Sequence, residues 1–276
     1  MAPSRDKSKF RVACIQTKAG KNFESNWRRI KSQISAALRK QPHLIALPEA
    51  FSCRAPRQAN EDIARRQTPF LIREFTQIAK KNRVAFLMGS VLESSKRRGK
   101  FYNTSLLISE TGRVVARYRK IHLFDIGMKG RVRTRESSQI TPGNRVVVGT
   151  VWGVRVGLSI CYDLRFPELF RALAQKGSRI IFMPANFTYF TGKAHWEVLL
   201  RARAIENQAY VVAPAQAGSH PATGIKSFGC SLLVDPWGKV LRRAARAGEQ
   251  VLCADLDLRY QARIRREFPV LTHRRL

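Results

Sequence analysis

The stretch VRVGLSICYDLRFPELFRALAQKG, Val154 to Gly177, decides the fold. Val154–Ile160 is a short apolar run of strand length. Pro167 is suited to the first turn of a helix and Gly177 to its end, so a helix over Pro167–Lys176 is predicted. A strand that feeds a helix with only Cys161–Phe166 between them is a unit of a layered α/β protein. The same alternation extends in both directions. Phe10–Thr17 (FRVACIQT), His43–Pro48 (HLIALP), Val84–Leu92, Thr104–Ser109 and Arg113–Tyr118 read as strands on one side. Val146–Thr150, Arg179–Met183, Tyr210–Ala215, Cys230–Val234 and Val251–Leu256 do so around and beyond it. Phe23–Arg39 carries Trp27, Ile30, Ile34 and Leu38 on one helical stripe. Thr68-Pro69 reads as the N-cap and first residue of a helix to about Lys81, and Ala194–Asn207 as another. The turns in ISETGRVV and VDPWGKVL imply hairpins, which exclude a purely parallel, doubly wound sheet. With no linker or repeat, residues 1–276 form one domain. Its basic tail, from about residue 258, is expected to contact a partner subunit.

The 276 residues are 44% hydrophobic, enough for a large core. No run reaches the roughly 18 apolar residues of a membrane span. The segment Met1–Lys9 lacks a secretion-signal pattern, so a cytoplasmic location is expected. Cys14, Cys53, Cys161, Cys230 and Cys253 have neither disulfide-framework nor zinc spacing. Fifty-one Lys and Arg against 19 Asp and Glu give a net charge of +32. That field attracts polyanions. The charge is nevertheless scattered, with clusters at Lys96–Lys100, Arg131–Arg135 and Arg242–Arg246, and no nucleic-acid-binding motif accompanies it. Nucleic acid is therefore expected to bind only non-specifically. Polyanion binding on the same scaffold is the non-enzymatic alternative.

Three residues carry chemistry. Cys161 follows an apolar strand at the sheet edge where ligand crevices form, with backbone N–H groups of the next turn in reach. Taken alone it reads first as a buried strand-end thiol, the usual place of a free cysteine. Glu49 ends the apolar run HLIALP, a costly place for a carboxylate unless it is paired or used. Lys120 closes Arg113–Lys120 and reads also as a solvated lysine. Asn186, Phe187 and Thr188 follow the strand RIIFMPA at another edge and are candidates to line a pocket, although Phe187 serves equally as loop packing.

Pro48-Glu49-Ala50-Phe51, Tyr118 to Phe124 (YRKIHLF) and Cys161 to Glu168 (CYDLRFPE) resemble, in order and spacing, the three catalytic motifs of the nitrilase superfamily. The resemblance runs from about Phe10 to Arg275. It implies a four-layer α-β-β-α sandwich and hydrolysis of a linear C–N bond through a thioester. Glu49 is then the base, Cys161 the nucleophile, and Lys120 with the Tyr162 backbone N–H the oxyanion hole. Glu136, six residues before Pro142-Gly143, takes the place of a supporting glutamate. No metal or cofactor is implied; the expected partners are an amide, water and a second copy in a homodimer or larger homo-oligomer. Cys-Tyr-Asp is unlike the Cys-Trp-Glu of true nitrilases and the Cys-Asn-Asp-Arg-Arg of carbamoylases. It resembles the Nit amidases, which act on deaminated glutathione or, as ω-amidases, on 2-oxoglutaramate and its kin. Both substrates bear carboxylates, so Arg165 is the nearest candidate to bind them. His195 is either a pocket residue or a helix-start residue that bonds a loop. The high positive charge is a departure from the family pattern.

Overall fold

The structure, a computed structural model, describes residues 8–128 and 132–275. The start of the N-terminal segment, Met1–Lys7, and Arg131 of one basic cluster lie outside the described residues. The chain opens with β1 (Lys9–Gln16), α1 (Phe23–Leu38), β2 (Leu44–Ala46), the short α2 (Asn60–Asp62) and α3 (Thr68–Asn82). Then come β3 (Ala85–Ser94), β4 (Phe101–Ile108), β5 (Val114–Arg119), β6 (Asp125–Met128) and β7 (Val132–Arg135). The second half holds β8 (Val148–Val151), β9 (Val154–Leu158), α4 (Pro167–Gln175), β10 (Ile180–Phe182) and α5 (Tyr189–Asn207). It closes with β11 (Tyr210–Ala213), β12 (Leu232–Val234), β13 (Val240–Arg243), β14 (Gln250–Asp257) and α6 (Leu258–Glu267).

Two six-stranded sheets result, ordered β14-β1-β2-β3-β4-β5 and β13-β12-β11-β10-β9-β8. Each has three parallel strands at its centre and antiparallel strands outside them. Period-two alternation sorts the first sheet's side chains into two cores. Ala13, Ile15, Ile45, Phe86, Met88 and Leu106 pack with Trp27, Ile30 and Ile34 of α1 and Leu71 and Phe75 of α3. Their neighbours Val12, Cys14, Leu44, Ala46, Leu87 and Leu107 face the other way, into a core shared with Val156, Leu158, Ile180 and Phe182 of the second sheet. Phe170 and Leu173 of α4 and Trp196 and Leu200 of α5 belong to that same core. The layers are therefore α-β-β-α, the predicted sandwich.

Several boundaries differ from the sequence reading. Thr68 is not an N-cap: α3 continues from α2 through a π-helical stretch, Ile63–Gln67, and the buried Thr68 hydroxyl donates to Leu92 O at 2.7 Å. The helix after β10 starts at Tyr189 rather than Ala194, because Thr188 is its N-cap and accepts from Thr191 N. The hairpin β6–β7 went unread; its strands are only four residues long, DIGM and VRTR, too short for a period to stand out. The C-terminal tail begins as α6, capped by Asp257, with Leu258, Gln261 and Ile264 buried on its own domain. Gln261 donates to Arg179 O at 2.7 Å and Gln208 O at 3.0 Å. No helix among the described residues is long and apolar enough to cross a membrane.

Candidate active site

The site lies where one end of both sheets meets. Glu49 follows β2 on the loop Leu47-Pro48, which stays against β3 only because residue 89 is glycine. A Cβ there would sit 2.0 Å from Pro48 O. Lys120 follows β5, and the 142–143 turn presses on it in the same manner: Gly143 N donates to Lys120 O at 2.8 Å, and a Cβ on Gly143 would lie 2.2 Å from Arg119 O. Cys161 begins a single 3-10 turn, Cys161–Arg165, after β9. Its φ is 48° and that of Ala50, next to Glu49, is 49°. Left-handed backbone is uncommon away from glycine and tends to gather at functional sites.

These loops bring the predicted groups together. Lys120, 2% exposed, places Nζ 3.2 Å from Glu49 Oε1 and 2.9 and 3.1 Å from the two Glu136 oxygens. Asn103 Nδ2 donates to Glu49 Oε1 at 2.9 Å and to Glu136 Oε1 at 3.3 Å. Glu49 Oε2 accepts from Asn186 N at 2.8 Å, and Glu136 Oε2 from Phe124 N at 2.7 Å. Gln216 Nε2 holds the Glu49 and Ala50 carbonyls, each at 3.0 Å. Both carboxylates are thus locked against one ammonium group.

Burial lowers the Lys120 pKa, but Glu136, Glu49 and Cys161 outweigh it and hold the amine charged, well above its ordinary value. Burial, and then Glu49, push the Cys161 thiol well above the usual range, with Lys120 and the Asn186 N–H opposing. Burial and the neighbouring Glu49 carboxylate thus favour a thiol over a thiolate at Cys161.

Asp163 joins the two halves of the site. Fully buried, it accepts from Tyr118 Oη at 2.7 Å and Ile160 N at 2.8 Å through Oδ2. Its Oδ1 takes His122 N at 3.1 Å and faces His122 Nδ1 at 2.7 Å. The His122 ring stacks on Phe166 with centroids 3.7 Å apart. One carboxylate thereby ties residues on both sides of Lys120 to the turn bearing Cys161.

Cys161, Glu49, Lys120 and Glu136 line a cavity of about 310 Å³, with Asn186 and Arg57. Arg165 and Phe187 line instead a small recess of about 10 Å³ beside Cys161 and Tyr162, which Thr188 shares with a compartment adjoining the larger cavity. The Arg165 guanidinium lies 5.2 Å from the Phe187 ring and 5.7 Å from the Tyr162 ring. Phe187 packs on Trp196, and Thr188 caps α5. His195 is exposed on α5, with Nδ1 3.1 Å from Arg165 Nη1, and does not line either space. Asn103, His122, Asp163 and Gln216 escaped the sequence reading. Asn103 had a signal, a polar residue in the strand FYNTSLLI, and Asp163 sat unassigned within its motif. Among the described residues no His, Cys, Asp or Glu grouping could hold a metal ion.

A thiol, a carboxylate in contact with it and a fixed ammonium group at the end of a four-layer sandwich are the equipment of a hydrolase. The chain belongs to the carbon–nitrogen hydrolase family, whose description matches residues 11–266. It is 37% identical over 274 residues to deaminated glutathione amidase of Dictyostelium discoideum, covering 96% of this chain and 94% of that one. It is 35% identical to omega-amidase NIT2 of Mus musculus, covering 97% and 96%. The solved C. elegans NitFhit structure superposes with a TM-score of 0.91 at 35% identity, covering 97% of this chain and 65% of that one. The present chain thus spans about two-thirds of NitFhit.

Proposed function

We propose that the protein is a thiol amidase that hydrolyses the linear C–N bond of a small carboxylate-bearing amide of the deaminated-glutathione type. The observation that carries this is the Glu49–Lys120–Glu136 cluster opening on the same cavity as Cys161. Glu49 takes the thiol proton as sulfur attacks the amide carbon. Lys120 Nζ and the Tyr162 N–H receive the developing oxyanion. The proton passes to the departing amine, leaving a thioester. Glu49 then deprotonates a water that attacks it, and the acid leaves as Cys161 regains its proton. Glu136 keeps Lys120 aimed and charged throughout. Because the thiol rests protonated, base and nucleophile act together, and alkylation by iodoacetamide should be slow at pH 7 and rise steeply with pH. Cys161→Ala should abolish release of the amine from deaminated glutathione, at least about 10⁴-fold, with an unchanged circular dichroism spectrum. Turnover at the wild-type rate by that variant would refute the assignment.

A shorter ω-amide is the second reading, favoured by the likeness to omega-amidase NIT2. The five free thiols favour a reducing, cytoplasmic compartment. Val198 and Ile205 of α5, with Trp237 and Phe268, are exposed apolar side chains suited to cover by a second copy. Sedimentation should then show a dimer or larger. Any nucleic-acid binding should be the non-specific, salt-sensitive kind.

A further inference from the structure

The cavity at Cys161 continues past the catalytic groups. It shares Arg57, Phe124, Asn186 and His220 with a second compartment of about 290 Å³, which reaches on to Thr223 and Lys226. Together the two spaces fall within the size of sites that hold a mid-sized ligand. The second compartment is a built feature. Arg54, 3% exposed, donates to Ala19 O at 2.7 Å, Ser227 Oγ at 2.9 Å, and Ala217 O and Ser219 O at 3.2 Å. The loop that carries His220 and Lys226 is thereby pinned to the loop that carries Glu49. Bridges Ser219–Lys226 and Thr188–Ser227 close it, and Ser227 Oγ donates to Asn186 Oδ1 at 2.6 Å.

The charge of this compartment is one-sided. Among the described residues Arg57 and Lys226 line it, and no carboxylate does. His220 accepts from Ala222 N through Nδ1 at 3.2 Å, which leaves Nε2 to carry the proton. Burial and then Arg54 push its pKa below the ordinary histidine value, so the ring is a neutral donor at pH 7. Arg165, by contrast, is committed to the aromatic rings and His195 on the far side of Cys161. An anionic group beyond the scissile bond therefore meets Arg57 and Lys226, not Arg165.

We propose that this compartment is a subsite for the far-end carboxylate of an extended, peptide-like amide, which spans from Cys161 to Lys226 during hydrolysis. The idea rests on the amidase reading above and sharpens its substrate class. Water adds across the amide, and the two products, an acid and an amine, each retain a carboxylate of the parent. Deaminated glutathione has such a far end, a cysteinylglycine tail; 2-oxoglutaramate does not.

The experiment compares kcat/KM for these two amides in wild type, Arg57→Gln and Lys226→Gln, which alter exposed side chains. The ratio favouring deaminated glutathione should fall about tenfold in each variant, chiefly through KM, as expected for loss of one charge-assisted hydrogen bond. Wild type should lose a similar factor when the tail carboxylate is capped as an amide, and the variants should lose little more. Ratios unchanged within twofold in both variants overturn the subsite. Turnover of neither amide by wild type counts against the amidase reading alone. Calorimetric binding of deaminated glutathione and of its capped form to Cys161→Ala then decides the subsite: about tenfold weaker capped binding sustains it, and equal affinity overturns it.

Discussion

Two ion pairs of nearly equal geometry sit in opposite surroundings. Arg11 grips Asp255 with Nε at 2.7 Å and Nη2 at 2.9 Å, and both side chains are about 40% exposed (42% and 40%). Lys120 meets Glu136 at 2.9 Å and Glu49 at 3.2 Å, but is itself only 2% exposed. At the surface water screens the attraction, and such pairs contribute about 0–1 kcal/mol. In the site each ion has given up its hydration, a cost of several kcal/mol that pairing only offsets. Apolar residues would stabilise the fold equally well there. On the mechanism proposed above, the buried cluster owes its place to what a dry, fixed charge does to a reacting carbonyl, while the surface pair is explained by local geometry alone.

The largest expected break in this comparison is Lys120→Met. It leaves two carboxylates buried without their cation, so stability should fall by about 3–5 kcal/mol by chemical denaturation. Amide turnover should fall by at least about 10³-fold. Glu136→Gln keeps the volume and the Phe124 contact but removes one charge from the ammonium group. We expect a drop of about 10- to 100-fold in kcat with little change in KM. Wild-type kcat in this variant would reduce Glu136 to packing. Asp163→Asn leaves one acceptor where Oδ1 and Oδ2 served four donors. It should loosen the tie between Cys161 and Lys120, cutting kcat by about tenfold and speeding thiol alkylation. The smallest effect belongs to the surface: an Arg11→Ala, Asp255→Ala double-mutant cycle should give about 0.5 kcal/mol, lost in high salt. Arg11 holds Asp255 below the ordinary aspartate value of 3.8. That contribution is present above this pH and fades as pH falls below it.

The alternation of strands and helices was legible because each inward face repeats every second residue. Val12 and Cys14 against Ala13 and Ile15 are an example. Glu49, Lys120 and Cys161 were legible as three charged or reactive residues closing apolar runs. That they meet was not, since 71 residues separate Glu49 from Lys120 and only the two-sheet packing joins them to Cys161. The β6–β7 hairpin and the start of α5 were missed for local reasons: four-residue strands are too short to establish a period, and a Thr-Tyr-Phe helix start resembles strand. Arg165 was favoured because it lies within a motif. Arg57, in the loop just past Arg54, has no such neighbour and lines the cavity only because α2 and its preceding turn fold back over it.

Cys161 holds a left-handed backbone that its own side chain disfavours. On the proposed mechanism, replacing it with glycine removes turnover and also releases that strain, worth about 1 kcal/mol. An inactivated allele of this kind should encode a chain that melts a few degrees later than the working enzyme. On that mechanism thermal hardiness and catalysis are in opposition at this one position, so a screen for heat resistance alone would select against Cys161.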